Sequence, residues 1–277
     1  MKTKLSKTST VLTYLFFFGI SCAMFSDNYQ YGFDATDRGD YKTAYNLWLP
    51  FAEQGDNEAQ FNLGLISHQA MGVPQDFKDA IKWYRQSAEQ GNASAQLNLG
   101  VMHSRGEGVP QDHKEGVKWE RLSAEQGDAS GQLNLGLSYA KGEGVPQNYK
   151  EAVRLFRLSA EQGNASAQSN LGLMYFEGHG VPKDYTETVK WYRRSAEQGD
   201  VGGQYNMGVM YDNGDGVPKD AVLAYMWWDI AGSSGDRDAL ENRTLLEEEM
   251  TESQIQKAKD LARNWKPKAK GSDRHES

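Results

Sequence analysis

A chain of 277 residues, 38% apolar and 11% aromatic, can bury a substantial core, and nothing in that composition favours long disordered stretches. Its single cysteine excludes an intrachain disulfide, so packing must hold the fold. A formal charge of −8 with no basic stripe argues against nucleic acid as a partner and against electrostatic adhesion to anionic lipid.

Residues 1–23 differ from the rest. Lys2, Lys4 and Lys7 form a basic start, Val11 to Ile20 an apolar run, and Ser21-Cys22-Ala23 a small-residue end. That order reads as a secretory signal peptide, because the run is about half the roughly 20 residues a spanning helix needs. An exported protein is expected, periplasmic or secreted. Ser21-x-Ala23 suits cleavage before Met24. Gly19-Ile20-Ser21-Cys22 loosely resembles a lipoprotein box and makes Cys22 a candidate lipidation site, with outer-membrane anchoring the less favoured destination. Removing the segment takes three lysines and no acids, leaving 27 basic against 38 acidic residues, a balance of −11.

The remaining chain repeats one phrase, fullest at 164–182 as NASAQSNLGLMYFEGHGVP, with copies beginning at Asp56, Asn92, Asp128, Asn164 and Asp200. A period of 36 residues signals a solenoid, each unit burying its apolar face against its neighbours. A degenerate half-unit is expected over 30–55, followed by repeats at 56–91, 92–127, 128–163, 164–199 and 200–235. Each unit opens with Asp or Asn after a Gly, which caps helix A while the Gly ends the preceding helix in the left-handed conformation. Helix A then carries a small residue, Asn, an apolar residue, and Gly64, Gly100, Gly136, Gly172 or Gly208. An interior glycine costs about 0.5–1 kcal/mol relative to Ala. Close approach of another helix is the simplest compensation. A Gly-x-Gly-Val-Pro loop reverses the chain, with Ala70 at the first glycine position in the first unit, and Asp76, Asp112, Asn148, Asp184 or Asp220 caps helix B. Past Asp236 the repeat fades. Thr251 to Gln254 reads as a capping box opening a last helix, so 236–265 should form two capping helices, with 266–277 a polar tail.

With Ala-Glu-Gln-Gly, Ala-Gln-x-Asn-Leu-Gly and Gly-x-Gly-Val-Pro at this period, the chain resembles the Sel1-like repeat family, relatives of the tetratricopeptide repeat. The resemblance spans about residues 30–265. It implies an all-α, right-handed α/α solenoid of about five to six 36-residue helix-turn-helix repeats with a C-terminal capping helix pair. It also implies a non-enzymatic scaffold or adaptor, whose A helices line a concave groove for a protein or peptide partner, in host contact or envelope signalling. A disulfide-bearing branch of the family is associated with penicillin binding, but this chain lacks the cysteines of that branch.

Residues needed by every unit, the recurrent Gly, Ala, Leu, Trp, Tyr, Asn and Pro, read as architecture. The variable positions inform on binding. Slot 61 reads Phe61, Leu97, Leu133, Ser169, Tyr205, and slot 68 reads His68, Ser104, Ala140, Phe176, Asp212. Seven residues apart, the two slots share one face of helix A and are the candidate partner-binding strip, with slot 61 open to a second reading as partly core. No cofactor is expected, and the histidines show no metal-ligand spacing. A peptidoglycan- or β-lactam-interacting protein is the alternative. Ser138-x-x-Lys141 and Ser26-Asp27-Asn28 match two motifs of penicillin-interacting enzymes, but Ser138 falls late in helix A, Ser26 beside the cleavage point, and Lys-Thr-Gly is missing.

Overall fold

A computed structural model describes residues 28–268. The signal segment, the cleavage point and Cys22 lie outside the described residues, as do Ser26, Asp27 and the end of the tail. The described residues form helices and loops without strands. The helices are α1 (28–37), α2 (Tyr41–Glu53), α3 (Asn57–His68), α4 (Phe77–Glu89), α5 (Ala93–Arg105), α6 (His113–Glu125) and α7 (Ala129–Lys141). They continue as α8 (Tyr149–Glu161), α9 (Ala165–Glu177), α10 (Tyr185–Glu197), α11 (Val201–Asn213), α12 (Ala221–Ser233), α13 (Arg237–Glu247) and α14 (Glu252–Asn264). Odd-numbered helices through α13 are the A helices, and even-numbered ones through α12 the B helices. The chain forms two compact units, divided between Trp119 and Glu120 inside α6.

The capping grammar is realised unit by unit. Asp56, Asn92, Asp128, Asn164 and Asp200 each accept a hydrogen bond from the backbone N–H three residues on, at 2.6–3.0 Å, and Asp76, Asp112, Asp184 and Asp220 do the same for B helices. Gly106, Gly142, Gly178 and Gly214 close their A helices at φ between 74° and 80°, and Ala70 is forced to φ 56°.

In the first unit, α1 packs on α2 through Phe33 and Trp48, whose ring centroids are 5.0 Å apart. Where the sequence suggests half a repeat over 30–55, two helices stand. Tyr84 of α4 explains Gly64: a Cβ added there would fall 2.6 Å from the tyrosine ring. The second unit repeats the device, with Phe156 2.7 Å from such a Cβ at Gly136, Tyr192 2.6 Å from Gly172 and Trp228 2.3 Å from Gly208. The glycine thus lets a buried aromatic of the following B helix lie against the helix backbone. α13 and α14 both pack on α12, burying Tyr225, Leu246 and Ala258. Thr251 and Gln254 make the expected capping box at α14. Beyond it, Trp265 meets Trp227 edge-on and the Lys268 N–H donates to the Glu197 carbonyl at 2.7 Å.

Most of the repeated polar residues of the interior are bonded, the buried Ser123 Oγ and Gln204 Oε1 being without a partner. Gln60, Gln96 and Gln168 donate to the carbonyls of Ala52, Ala88 and Ala160 at 2.9–3.1 Å, and Gln90, Gln162 and Gln198 donate back to Gln60, Gln132 and Gln168 at 2.7–2.8 Å. Ser87, Ser159 and Ser195 reach the carbonyls of Asn57, Ala129 and Ala165. Buried amides and hydroxyls with partners avoid the desolvation cost of lone ones, which accounts for the recurrence of Ser-Ala-Glu-Gln-Gly and Ala-Gln.

Candidate interaction face of the A helices

Solvent exposure along helix A follows the helical period. Slots 58 and 69 are exposed in every full repeat, and slots 62 and 65 between them are half-buried. Steps of four, three and four residues trace one stripe, so the open face is centred on slots 62 and 65. All ten residues of slots 61 and 68 are half-buried and lie on the flank of that stripe.

In the first unit, Phe61 and His68 both approach the Tyr84 ring, at centroid distances of 6.0 Å each. His68 also lies 5.7 Å from Phe77, and its Nε2 is 2.9 Å from the Glu107 carboxylate in the next loop. Leu97 is half-buried one turn into α5, and Ser104 lies against Gly116, whose added Cβ would meet its Oγ. The structure thus joins Phe61 and His68 through one tyrosine.

In the second unit, Leu133 and Ala140 pack on the α8–α9 core, and Ser169 lies beside Gly202. Phe176 rests 5.7 Å from Tyr185, with the Lys183 ammonium 5.2 Å above its ring, and Asp212 lies 3.7 Å from Lys219. The Tyr205 hydroxyl accepts from the Asn242 amide at 3.3 Å while its backbone carbonyl accepts from Trp228 Nε1 at 3.1 Å. Phe176 and Asp212 stand at loop ends of their helices, and Tyr205 near the start of α11. They form no single cluster. The aromatic side chains of slot 61 double as packing against the B helices.

Sequence reasoning missed the stripe itself. Slot 65 reads Leu65, Val101, Leu137, Leu173, Val209 and Leu245, the last 59% exposed. Its signal was present in the spacing: 58, 62, 65 and 69 are the positions that a helix buried on slots 59, 60, 63 and 66 turns outward. A second missed feature is a rung between consecutive B and A helices, 18 residues apart. Arg121, Arg157 and Arg193 donate to the hydroxyls of Tyr139, Tyr175 and Tyr211, and in the first unit Arg85 stands 3.4 Å from Nε2 of His103. His103 is 7% exposed, and its burial, then the Arg85 charge, hold its pKa below the ordinary histidine value.

Ser138 is 8% exposed, and its Oγ donates to the Glu120 carboxylate at 2.9 Å, Glu120 itself being 3% exposed. The hydroxyl is committed to a packed helix interface, while Lys141 points from an exposed position. Trp83, Tyr84, Trp191 and Tyr192 are buried, as packing residues should be. Among the described residues no three His, Cys, Asp or Glu side chains are placed to hold a metal ion, and no helix is long and apolar enough to cross a membrane.

Comparison with known proteins accords with this geometry. The profile of the Sel1 repeat family matches residues 21–56, 57–92, 93–128, 129–164, 165–200 and 201–236. A Sel1 repeat protein from Oxalobacter formigenes is similar in structure, with a TM-score of 0.76 and 31% identity over 87% of this chain and 98% of that one. The protein c5321, a protective antigen present in uropathogenic Escherichia coli strains displaying an SLR fold, is similar with a TM-score of 0.57 and 30% identity. That match covers 87% of this chain, which spans 60% of that protein. Curated protein sequences offer no match.

Proposed function

Because the chain belongs to the Sel1 repeat family, an all-α solenoid class whose members bind protein partners, we propose that it is a non-enzymatic scaffold that holds a protein or peptide against the open stripe of its A helices, outside the bacterial cytoplasm. The observation that carries this reading is the stripe itself. Slots 58 and 69 are exposed, with the half-buried slots 62 and 65 between them, at the same phase of the A helices within each unit, whereas the B helices supply the buried aromatics. Bonded caps and glutamine ladders keep the stripe in place without a partner, so binding costs little ordering entropy. Export rests on Lys2, Lys4, Lys7 and the apolar run at 11–20, and a 30%-identical relative being a protective antigen is in keeping with it. The balance of −11 after cleavage favours a basic or mixed-charge partner.

A photo-crosslinker at Glu177, on the stripe, and another at Lys190, exposed on α10, test the assignment. With envelope extract and extracellular host protein as bait, capture of one partner from Glu177 alone is expected. Equal capture from both positions, or none, would remove the stripe as the binding face. Fractionation of cells expressing the full chain, with labelled palmitate, tests export and lipidation of Cys22: protein confined to the cytoplasm would refute the first, and unlabelled Cys22 the second.

A further inference from the structure

In the second unit the chain beyond α14 turns back over the B helices and shows what their outer face can hold. Trp265 packs against the apolar cluster that contains Trp227 and Ile230 of α12. Three residues later Lys268 sits on the preceding B helix, α10. Its backbone N–H donates to the carbonyl of Glu197, the last residue of α10, and its Nζ lies 2.9 Å from the carboxylate of the same residue. Pro267 lies over Gly199, 3.6 Å from where a Cβ would stand. A helix C-terminus leaves carbonyls without intrahelical partners and favours a cation beside it, so one glutamate takes both the backbone and the charge of a passing chain.

On α8 and α6 the same parts stand uncovered. Leu158 holds on α8 the slot that Ile230 holds on α12, and is 39% exposed where Ile230 is 7% exposed. Glu125 ends α6, at the same interval before Leu158 as Glu197 before Ile230. It is exposed, its carboxylate joins no ion pair and its carbonyl accepts no hydrogen bond. Gly127 has open space where Pro267 covers Gly199. Leu122, in the slot of Leu158 one B helix earlier, is exposed as well and widens the apolar surface. The fold does not require these leucines, since the slot reads Gln86 in the first unit and Arg194 on α10. One difference between the two places narrows the ligand. On α12 the outward slots before Ile230 are Leu223 and Met226, which pack with Ala262 of α14. On α8 they are Glu151 and Arg154, joined to each other at 2.6 Å. An apolar helix like α14 finds no seat there, whereas an extended segment does.

We propose that Leu122, Glu125, Gly127 and Leu158 form a docking site on the outer face of α6 and α8 for an extended segment of a partner protein, one that carries an aromatic residue three positions before a lysine. The aromatic ring covers Leu158, and the lysine gives its ammonium to the Glu125 carboxylate and its N–H to the Glu125 carbonyl. The site belongs to the B helices and does not rest on the stripe of the A helices. Glu161, exposed at the end of α8, adds to the negative field that draws a basic segment.

The probe is a synthetic peptide of residues 261–268, LARNWKPK, with blocked ends and a dye, titrated into the full chain and read by fluorescence anisotropy. Saturable binding is expected, weakened about tenfold by Glu125→Gln and about fivefold by Leu158→Ser in the protein. Trp265→Ala or Lys268→Ala in the peptide should weaken it by similar factors. Both protein variants alter exposed side chains, so their melting temperatures should hold. Glu197→Gln, at the place the chain's own segment already covers, should leave the peptide's affinity unchanged. No binding, or binding indifferent to Glu125→Gln and Leu158→Ser, overturns the proposal. Equal weakening by Glu197→Gln does so too, because the peptide would then only displace the chain's own segment. Two further measurements identify the occupant. A chain ending at Lys268 should bind the peptide with unchanged affinity; a several-fold gain would make residues 269–277 the occupant and remove the partner. Sedimentation should show no dimer that Leu158→Ser dissociates, since such a dimer would make a second copy the occupant.

Discussion

The two compact units are written in the same 36-residue phrase and differ in where the phrase is broken. In the first, the loop glycine of α3 is Ala70, held at φ 56°, and the partner of Arg85 is a buried histidine. In the second, every loop glycine is in place and each rung arginine meets a tyrosine hydroxyl, but one serine and one glutamate occupy slots filled elsewhere by Ile or Met and by aromatics. The difference teaches that a repeat tolerates a departure in two ways. A strained backbone is absorbed at an exposed loop, whereas a buried polar side chain brings its own bonding partner.

The largest effect should come where the units agree. Gly64→Val in the first and Gly172→Val in the second drive a side chain into Tyr84 or Tyr192 at the same 2.6 Å, and each should cost about 3 kcal/mol in denaturant unfolding. Unequal losses would show that the two units do not share one packing rule. Next, Ser138→Ala removes the hydroxyl from the Glu120 carboxylate and should cost about 2 kcal/mol, with the loss confined to the unit containing α7. A neutral result would mean that Glu120 is satisfied without it. Ala70→Gly works in the opposite direction and should stabilise the first unit by about 1 kcal/mol, since glycine adopts positive φ without the Cβ clash. The smallest effect is a pH dependence. His103 binds its proton more weakly in the folded than in the unfolded chain, so above pH 6.5 both states are neutral and stability is level. As pH falls below that value the unfolded chain takes up the proton first and the first unit loses stability. His103→Tyr, which installs the second unit's rung, should abolish that part of the acid sensitivity in melts between pH 7 and 5; an identical slope in the variant would exclude His103 as its source.

Much of this was legible in single residues. Asp56 or Asn164 after a glycine announces a helix start because the cap bond is local, and Gly178 before Val181-Pro182 announces a reversal because φ is a property of one residue. The recurrence of Gly64, Gly136, Gly172 and Gly208 points to a close neighbour for the same reason, although only the structure names Tyr84, Phe156, Tyr192 and Trp228. Slots 61 and 68, chosen for their variation, lie half-buried on the flank of the stripe, since variation alone does not separate the open centre of a face from its flank. Phe61 and Tyr205 vary between units and still pack against B helices. The asparagines were read as framework because they recur, and recurrence marks a shared requirement without saying whether it is internal.

The sequence by itself determined the period, the caps, the loop reversals and the family, since each depends on contacts within a few residues or on spacing along the chain. Only the tertiary structure decided which repeated polar groups find partners. The glutamines at slot 60 and the asparagines at slot 62 stand two residues apart in the same phrase, and a rotation of about 200° around the helix turns one into the core and leaves the other half-buried on the opposite side.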